Sequence, residues 1–479
     1  MSPESDTCAR FLPLNSELHQ RHYHDPKTRN NTRTVLVINT GGTIFMQKDA
    51  TGALCNSADS VLDVLDRLFE LDHPNMPVVH WVQATEQIDS SSMKPLHWLS
   101  LAEYIHSKKD KYQGFVVTHG TDTMAYTGAA LSFLLHSLHC PVIITGAQVP
   151  LSQPMSDGRS NVLAAIYLAG HSKTHREVSI FFHDALHRGN RSTKFSSTQM
   201  NAFTSPNGQP LIRLAVDPDI FPGNEKIEHY DHYRFDWKFS NNIYVLRLEP
   251  SQDLRAMLAL MRFIMDGDGE PSVVQLPPPP ALPPCQPRGQ DAGTRPGQAP
   301  EGHPPGRKSK MRKSLDRTPL SRKAMLEAQV DGNARRIVPT RAIIIEAFGS
   351  GNVPEGNPLL KQLLMEAKAK KTVIAITSQC LGGRVDIGSY AAGSDFNASG
   401  CIHTGDMTSE AAYVKLALLL GQGDLIHEEI SFLMTTNLRG EISHSKKHKI
   451  HGRQPDPRES AEQAPAEVAT PLLVPSPLE

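Results

Sequence analysis

The chain has 479 residues, enough for two or more domains on the usual prior of roughly 100–200 residues each. Its 49 lysines and arginines nearly balance 50 aspartates and glutamates, so the molecule as a whole has no field that would draw it to nucleic acid or an anionic membrane. Its 6 cysteines lie far apart with no CxxC pair, which argues against a structural zinc site and a disulfide-dense secreted scaffold.

Residues 1–32 are polar and lack the apolar segment of a secretory signal, and no later stretch reaches the roughly 18 apolar residues of a membrane span. A disordered tail on a cytoplasmic protein is expected, with no membrane partner. From Thr34 the texture changes. The run VLVI at Val35–Ile38 enters Thr40-Gly41-Gly42-Thr43, the pattern of a buried strand ending in a tight turn. SVLDVLDRLFEL follows, with Val61, Leu62, Leu65, Leu68 and Phe69 on one face of a predicted helix. FVVT at Phe115–Thr118 enters a second turn, THGTDT, which opens a helix through Met124, Ala129, Leu131 and Leu134. VIIT at Val142–Thr145 and VSIFF at Val178–Phe182 are further apolar runs. Continuous apolar strands alternating with helices predict an α/β fold, a parallel sheet covered on both faces.

A second set follows: Ile243–Leu248, a helix over Leu254–Met265, Ala342–Gly349, Val373–Thr377, and the helical stretch TSEAAYVKLALLLGQ. The expected division is an N-terminal α/β catalytic domain over 33–235 and a smaller C-terminal α/β domain over 236–442. Residues 268–338 break the pattern and are expected to form a disordered insertion. Pro271–Pro305 holds 12 prolines in 35 residues, and Arg288–Arg336 holds 12 lysines and arginines against 5 acidic residues. Such a loop is either a solvated, tolerated insertion or a basic segment that docks on an acidic partner. Residues 443–479 read as a second disordered tail; His444, His448 and His451 there fit a fluctuating basic tail better than a metal site.

The chemistry concentrates at the two glycine turns. In an open α/β sheet, ligands bind beyond the carboxyl ends of the strands, where free backbone N–H groups suit a carboxylate or a developing oxyanion. A threonine hydroxyl is a poor nucleophile near neutral pH and needs a base or a hydrogen-bonded relay. Lys194, in RGNRSTKF, beside a threonine and an aspartate would serve as a relay member. Each signal alone also fits a structural turn or a solvated lysine.

Together they resemble a family, the bacterial-type two-domain L-asparaginases, close to the cytoplasmic (type I) branch and its animal relatives. The motifs are TGGTI (Thr40–Ile44), DSSSM (Asp89–Met93), HGTDTMAYTGAALSFLL (His119–Leu135) and PVIITGAQVP (Pro141–Pro150). They continue with SDGRSNVLAA, RGNRSTK, FGSGNVP, DMTSEAAYVKL and NLRGEI, spanning about Arg33 to Ile442 apart from the insertion. The resemblance implies an asparaginase-like two-domain fold and hydrolysis of L-asparagine to L-aspartate and ammonia, with no metal or organic cofactor. It makes Thr43 the primary nucleophile and Thr121, Asp122 and Lys194 a second triad. Asp89 and Ser90 take the positions that hold the substrate's α-amino and α-carboxylate groups, and Gly42 and Gly120 allow close backbone approach to the bound amide. It also implies a homo-oligomer, a dimer or tetramer.

The chain departs from that family in two places. Ala53 stands where many bacterial members carry a loop tyrosine that polarises the nucleophile; Tyr390, in GSYAAG, is the candidate substitute, contributed from a neighbouring protomer, or else a packing residue. Glu346 stands where cytoplasmic members carry an arginine for a second, regulatory asparagine, and reversed charge there implies weak or absent control by asparagine. Cys380 is expected nearby as a core cysteine. The rival readings are the amidase subunit of a tRNA-dependent amidotransferase, and a catalytically impaired relative acting as a binding or scaffold module. Lysophospholipase activity, associated with animal relatives, finds no GxSxG elbow in this sequence.

Overall fold

The computed structural model describes residues 19–20, 33–48, 51, 54–56, 68–84, 87–135, 138–171, 176–216, 219–220, 235–250, 254–266, 273–275, 341–353, 358–385 and 400–443. Within them the larger sheet has nine strands. In chain order these are β1 (His19–Gln20), β2 (Thr34–Asn39), β3 (Val78–Gln83), β4 (Gly114–Thr118), β5 (Val142–Thr145), β6 (Val178–Phe182), β7 (Ala185–Arg188), β8 (Ile212–Arg213) and β9 (Asp219–Ile220). Their spatial order is β1-β3-β2-β4-β5-β6-β7-β8-β9. The five strands from β3 to β6 run parallel, and antiparallel strands close both edges.

The parallel strands are mostly apolar, with His80 in β3 and Ser179 in β6 as interior exceptions, because both faces are covered. Val35 and Val37 pack with Val162, Ile166 and Ala169 of α3 (Gly158–His171). Leu36 and Ile38 point the other way, toward α1 (Pro95–Lys108) and α2 (Met124–Leu134). The register then sets the site. Asn39 pairs with Thr118, and Thr118 with Thr145, so β2, β4 and β5 end side by side and their following turns emerge together.

A second sheet is wholly parallel: β10 (Ile243–Arg247), β11 (Arg341–Ala347), β12 (Thr372–Ser378) and β13 (Ile402–His403). Ile343, Ile345, Ile374 and Ile376 pack under α4 (Leu254–Asp266) and α5 (Pro358–Ala369). Ile344 and Ala375 face α6 (Ser409–Gly421) and α7 (His427–Thr435). Helix α6 also packs on α2, where the rings of Tyr126 and Tyr413 meet edge-on at 5.9 Å, so one apolar core continues between the two sheets.

Three expectations change. Of the helix expected at Ser60–Leu71, residues 57–67 lie outside the described residues, and Phe69–Asp72 is a 3-10 turn. With three residues per turn, Leu68 and Leu71 share the buried side, whereas Phe69 is 69 % exposed beneath the Arg159 guanidinium. His19–Gln20, in the expected tail, pairs with β3. Val273–Gln275, within the expected insertion, pairs antiparallel with Lys238–Ser240, because these residues retain the N–H groups that the proline run from Pro277 lacks. The rest of 268–338 and residues 444–479 lie outside the described residues.

Candidate active site

The first turn is tied to the second before any catalytic side chain is placed. Thr40 donates to the Thr118 carbonyl through both its N–H (3.1 Å) and its hydroxyl (2.8 Å). Asn39 Oδ1 accepts from Thr118 Oγ1 at 2.8 Å and from the Gly41 N–H at 3.1 Å. Gly42 sits at φ +94°, and a Cβ there would lie 2.6 Å from Gly120 Cα and 2.7 Å from the His119 carbonyl carbon. Glycine is required because backbone meets backbone. On the far side of Gly120, a Cβ would lie 2.5 Å from Ser90 Oγ. The Ile88 N–H donates to Thr40 O at 2.9 Å and Thr123 Oγ1 donates to Ser90 O at 2.7 Å. The turns 40–43, 89–92 and 119–123 therefore converge.

On this floor, Thr43 opens the 3-10 turn Thr43–Phe45, partly exposed, its hydroxyl bonded to nothing among the described residues. Thr121 is buried. Lys194 Nζ donates at 2.8 Å to Thr121 Oγ1 and at 2.8 Å to Asp122 Oδ1. The Lys194 side chain is 17 % exposed and that of Asp122 is 65 % exposed, so the lysine is covered while its counter-charge stays wet. Among the described residues the Thr121 hydroxyl has only Gln148 Oε1 as acceptor, at a long 3.4 Å, and its proton is weakly held. Asp89 is exposed and accepts from the Ser91 N–H at 3.1 Å, which caps the turn Ser90–Ser92; Ser90 itself is buried. The structure thus brings together Gly42, Thr43, Asp89, Ser90, Gly120, Thr121, Asp122 and Lys194. Tyr390 and Ala53 lie outside the described residues.

Comparison with known proteins bears on this arrangement. Residues 34–223 match the family described as Asparaginase, N-terminal, and residues 318–434 the Glutaminase/Asparaginase C-terminal domain. L-asparaginase 1 of Escherichia coli K12 is 33 % identical over 411 residues, covering 86 % of this chain and 98 % of that protein. The chain belongs to the asparaginase family. The 60 kDa lysophospholipase of Mus musculus is 30 % identical over 372 residues, which are 78 % of this chain and 49 % of that protein. The crystal structure of L-asparaginase I from Vibrio cholerae superposes with a TM-score of 0.63 at 29 % identity, covering 86 % of this chain and all (100 %) of that one.

Several supporting residues escaped the sequence reading. Asp157 accepts from the Gln148 N–H (3.1 Å to Oδ1, 3.0 Å to Oδ2) and the Val149 N–H (2.9 Å), fixing Gln148 beside Thr121. Arg191 is buried, pairs with Asp406 at 3.0 Å and donates to the carbonyls of Glu441 (2.8 Å) and Asn207 (2.6 Å). It anchors the segment leading to Lys194 on the second asparaginase region. Thr193 adds a bond to Glu410 Oε1 at 2.7 Å. Gln148 and Asp157 stand inside motifs of the family resemblance; Asp157 meets Gln148 across only 9 positions, but the contact of Gln148 with Thr121 spans 27.

A cavity of about 160 Å³ borders this anchor, lined by Thr193, Arg247, Glu346, Glu410 and Cys380 among others. Glu346 faces Arg247 at 3.4 Å. Burial pushes the Glu410 carboxyl up, against the hydrogen bond from Thr193. The Tyr126 hydroxyl is pushed up to about 12 by burial and by the Glu410 carboxylate. Cys380 is exposed at this cavity, not a core residue: its N–H is held by Ser378 Oγ at 2.9 Å in a turn after β12, which turns the thiol outward. Among the described residues no three His, Cys, Asp or Glu side chains are grouped as a metal site, and no helix is long and apolar enough to cross a membrane.

Proposed function

We propose that the chain hydrolyses the side-chain amide of L-asparagine to L-aspartate and ammonia through a threonine nucleophile, Thr43. The observation that carries this reading is the double donation of Lys194 Nζ to Thr121 Oγ1 and Asp122 Oδ1, in a turn packed against the one that bears Thr43. A cation donating to a hydroxyl oxygen stabilises negative charge there, and the weakly held Thr121 proton is free to turn toward the cleft. The relatives named L-asparaginase support the same substrate.

In this reading, Thr43 Oγ adds to the amide carbon and its proton passes through the Thr121–Lys194 pair to the leaving nitrogen. Ammonia departs, and water then cleaves the acyl-threonine ester to release aspartate and restore the hydroxyl. Asp89 holds the substrate ammonium, while Ser90 and nearby backbone N–H groups hold its α-carboxylate. Gly42 and Gly120 keep the floor low enough for the amide to approach. Tyr390 supplies the polarising hydroxyl that Ala53 does not, across a subunit contact, so activity depends on homo-oligomerisation in the cytoplasm. With Glu346 in place of an arginine, asparagine exerts weak or no allosteric control.

Ammonia release from L-asparagine by the purified full chain tests the proposal, with L-glutamine in parallel. Turnover is expected in the wild type, abolished in Thr43→Ala and reduced roughly 10²- to 10⁴-fold in Lys194→Met. No release across a wide asparagine range, or an unimpaired Thr43→Ala, would refute it.

A further inference from the structure

One fully buried titratable group beside the proposed triad has no part in the chemistry above. His119, immediately before Gly120, is 0 % exposed. Its Nδ1 lies 2.6 Å from the Gly120 carbonyl oxygen, and its Nε2 lies 2.9 Å from Thr127 Oγ1 on α2. Trp98 Nε1, on α1, donates to the same Thr127 oxygen at 3.0 Å.

The two ends of this chain settle its direction. An indole N–H only donates and a carbonyl oxygen only accepts. The proton facing Gly120 therefore belongs to His119 Nδ1, and Nε2 carries the lone pair. Thr127, accepting from Trp98, spends its own hydroxyl proton on Nε2. Every group has one role, and the imidazole is held as the neutral Nδ1–H tautomer. Burial, the largest influence, moves its pKa down to about 4, so it remains neutral near neutral pH.

The consequence falls on the next peptide. In a trans peptide the carbonyl and the following N–H point in opposite directions. With Gly120 C=O held toward His119 in the interior, the Thr121 N–H is turned away from it. No acceptor among the described residues takes that N–H. It belongs to the same residue whose hydroxyl Lys194 grips, in the turn that Gly42 and Ser90 touch.

We infer that His119 is a positioning residue: through its bond to Gly120 O it fixes the Gly120–Thr121 peptide so that the Thr121 N–H stands ready to receive the oxyanion, with Thr127 and Trp98 steadying the far side of the imidazole. This rests on the amide-hydrolysis reading proposed above. His119 touches neither substrate nor reacting atom; it acts on the donor that does.

The test compares His119→Asn with His119→Leu in the full chain, using ammonia release from L-asparagine and thermal melts. An asparagine amide nitrogen falls near the Nδ1 position and can still donate to Gly120 O, whereas leucine cannot. Both variants lose the bond to Thr127. His119→Asn is expected to keep kcat within about fivefold of wild type. His119→Leu is expected to lose about 10²-fold in kcat, the scale of one removed or misplaced oxyanion donor, with KM changed less than threefold. Equal losses in the two variants, or a loss confined to KM, would overturn the inference and leave His119 a packing residue. Trp98→Phe keeps every side chain of the turn and guards against variants that fail to fold. The Gly120 carbonyl, which by itself requires the Nδ1–H tautomer, is untouched by this change, so a kcat within about threefold of wild type is expected, and a loss as large as that of His119→Leu counts against the inference. A wild type without asparagine turnover would instead refute the functional reading itself.

Discussion

Replacing Glu441 by glutamine removes one charge from the interior and leaves its partner behind. Lys415 and Glu441 are both 0 % exposed, with Nζ and Oε1 2.6 Å apart. Lys415 also donates to the carbonyls of Met434 (3.2 Å) and Thr436 (2.6 Å), and Glu441 accepts from the N–H groups of Leu438 (2.9 Å) and Arg439 (2.6 Å). Burial alone would raise the Glu441 carboxyl, but Lys415 and these amides outweigh it and hold it below the ordinary range. The pair is therefore ionised, and Glu441→Gln strands a buried ammonium at a cost of about 3–5 kcal/mol. At roughly 2–4 °C per kcal/mol for a large domain, Tm is expected to fall by about 10 °C. The double variant Lys415→Met with Glu441→Gln should recover much of that loss: the glutamine oxygen still accepts from Leu438 and Arg439, and its amide can donate to the carbonyls that Lys415 leaves. Thermal melts of both single variants and the double variant provide the measurement. A Glu441→Gln protein melting within about 2 °C of wild type, against the size of loss expected for a stranded buried charge, would refute the reasoning. So would a double variant less stable than either single one.

Gly42→Ala should separate the two turns, because its Cβ would sit 2.6 Å from Gly120 Cα at a backbone φ of +94°. Steady-state kinetics on asparagine should show kcat lower by about 10²-fold, with a stability loss of about 1–3 kcal/mol in melts; an unchanged kcat would mean that this contact does not organise the site. Acid should weaken the fold in a defined window. Burial lowers His119 and His187 to about 4, from an ordinary 6.5, so the unfolded chain takes up their protons first. Their contribution is complete above about pH 6.5 and drains as pH falls toward 4, by about 2 kcal/mol each on reaching pH 5. Urea titrations at pH 7.5 and pH 5 should show this, and His187→Gln should roughly halve the difference; equal pH dependence in the two proteins would show that His187 is not its source.

The parallel sheet was legible because strands covered on both faces are apolar at most positions, without the alternation of a half-exposed strand. VLVI, FVVT, VIIT and VSIFF each became a strand with bounds within a residue or two of the apolar run. The helix opened by THGTDT and the one in TSEAAYVKLALLLGQ were legible for the complementary reason, since an apolar helical run is a local feature, as is the threonine, Thr408, that caps the second. The reading failed where local pattern was outweighed. Phe69 lies outside because the chain there winds as a 3-10 turn, and Val273–Gln275 pairs with a strand more than thirty residues away, which no local composition reveals. Cys380, expected near Glu346 as a core cysteine, does border the same cavity, yet the turn after β12 exposes it.

The sequence by itself determined the apolar layers, the glycines at the strand ends, and the residue types able to activate a hydroxyl. These follow from solvation and backbone sterics, which act over a few residues. Only the tertiary structure decided which of them meet. The registers of Asn39 with Thr118 and of Thr118 with Thr145 bring separate turns to one edge, and Lys194 reaches Thr121 across 73 positions of chain. His119, Gln148, Asp157 and Arg191 gain their roles only there. A hydrogen bond acts over about 3 Å of space and is blind to distance along the chain, so its partners are fixed by how the layers pack.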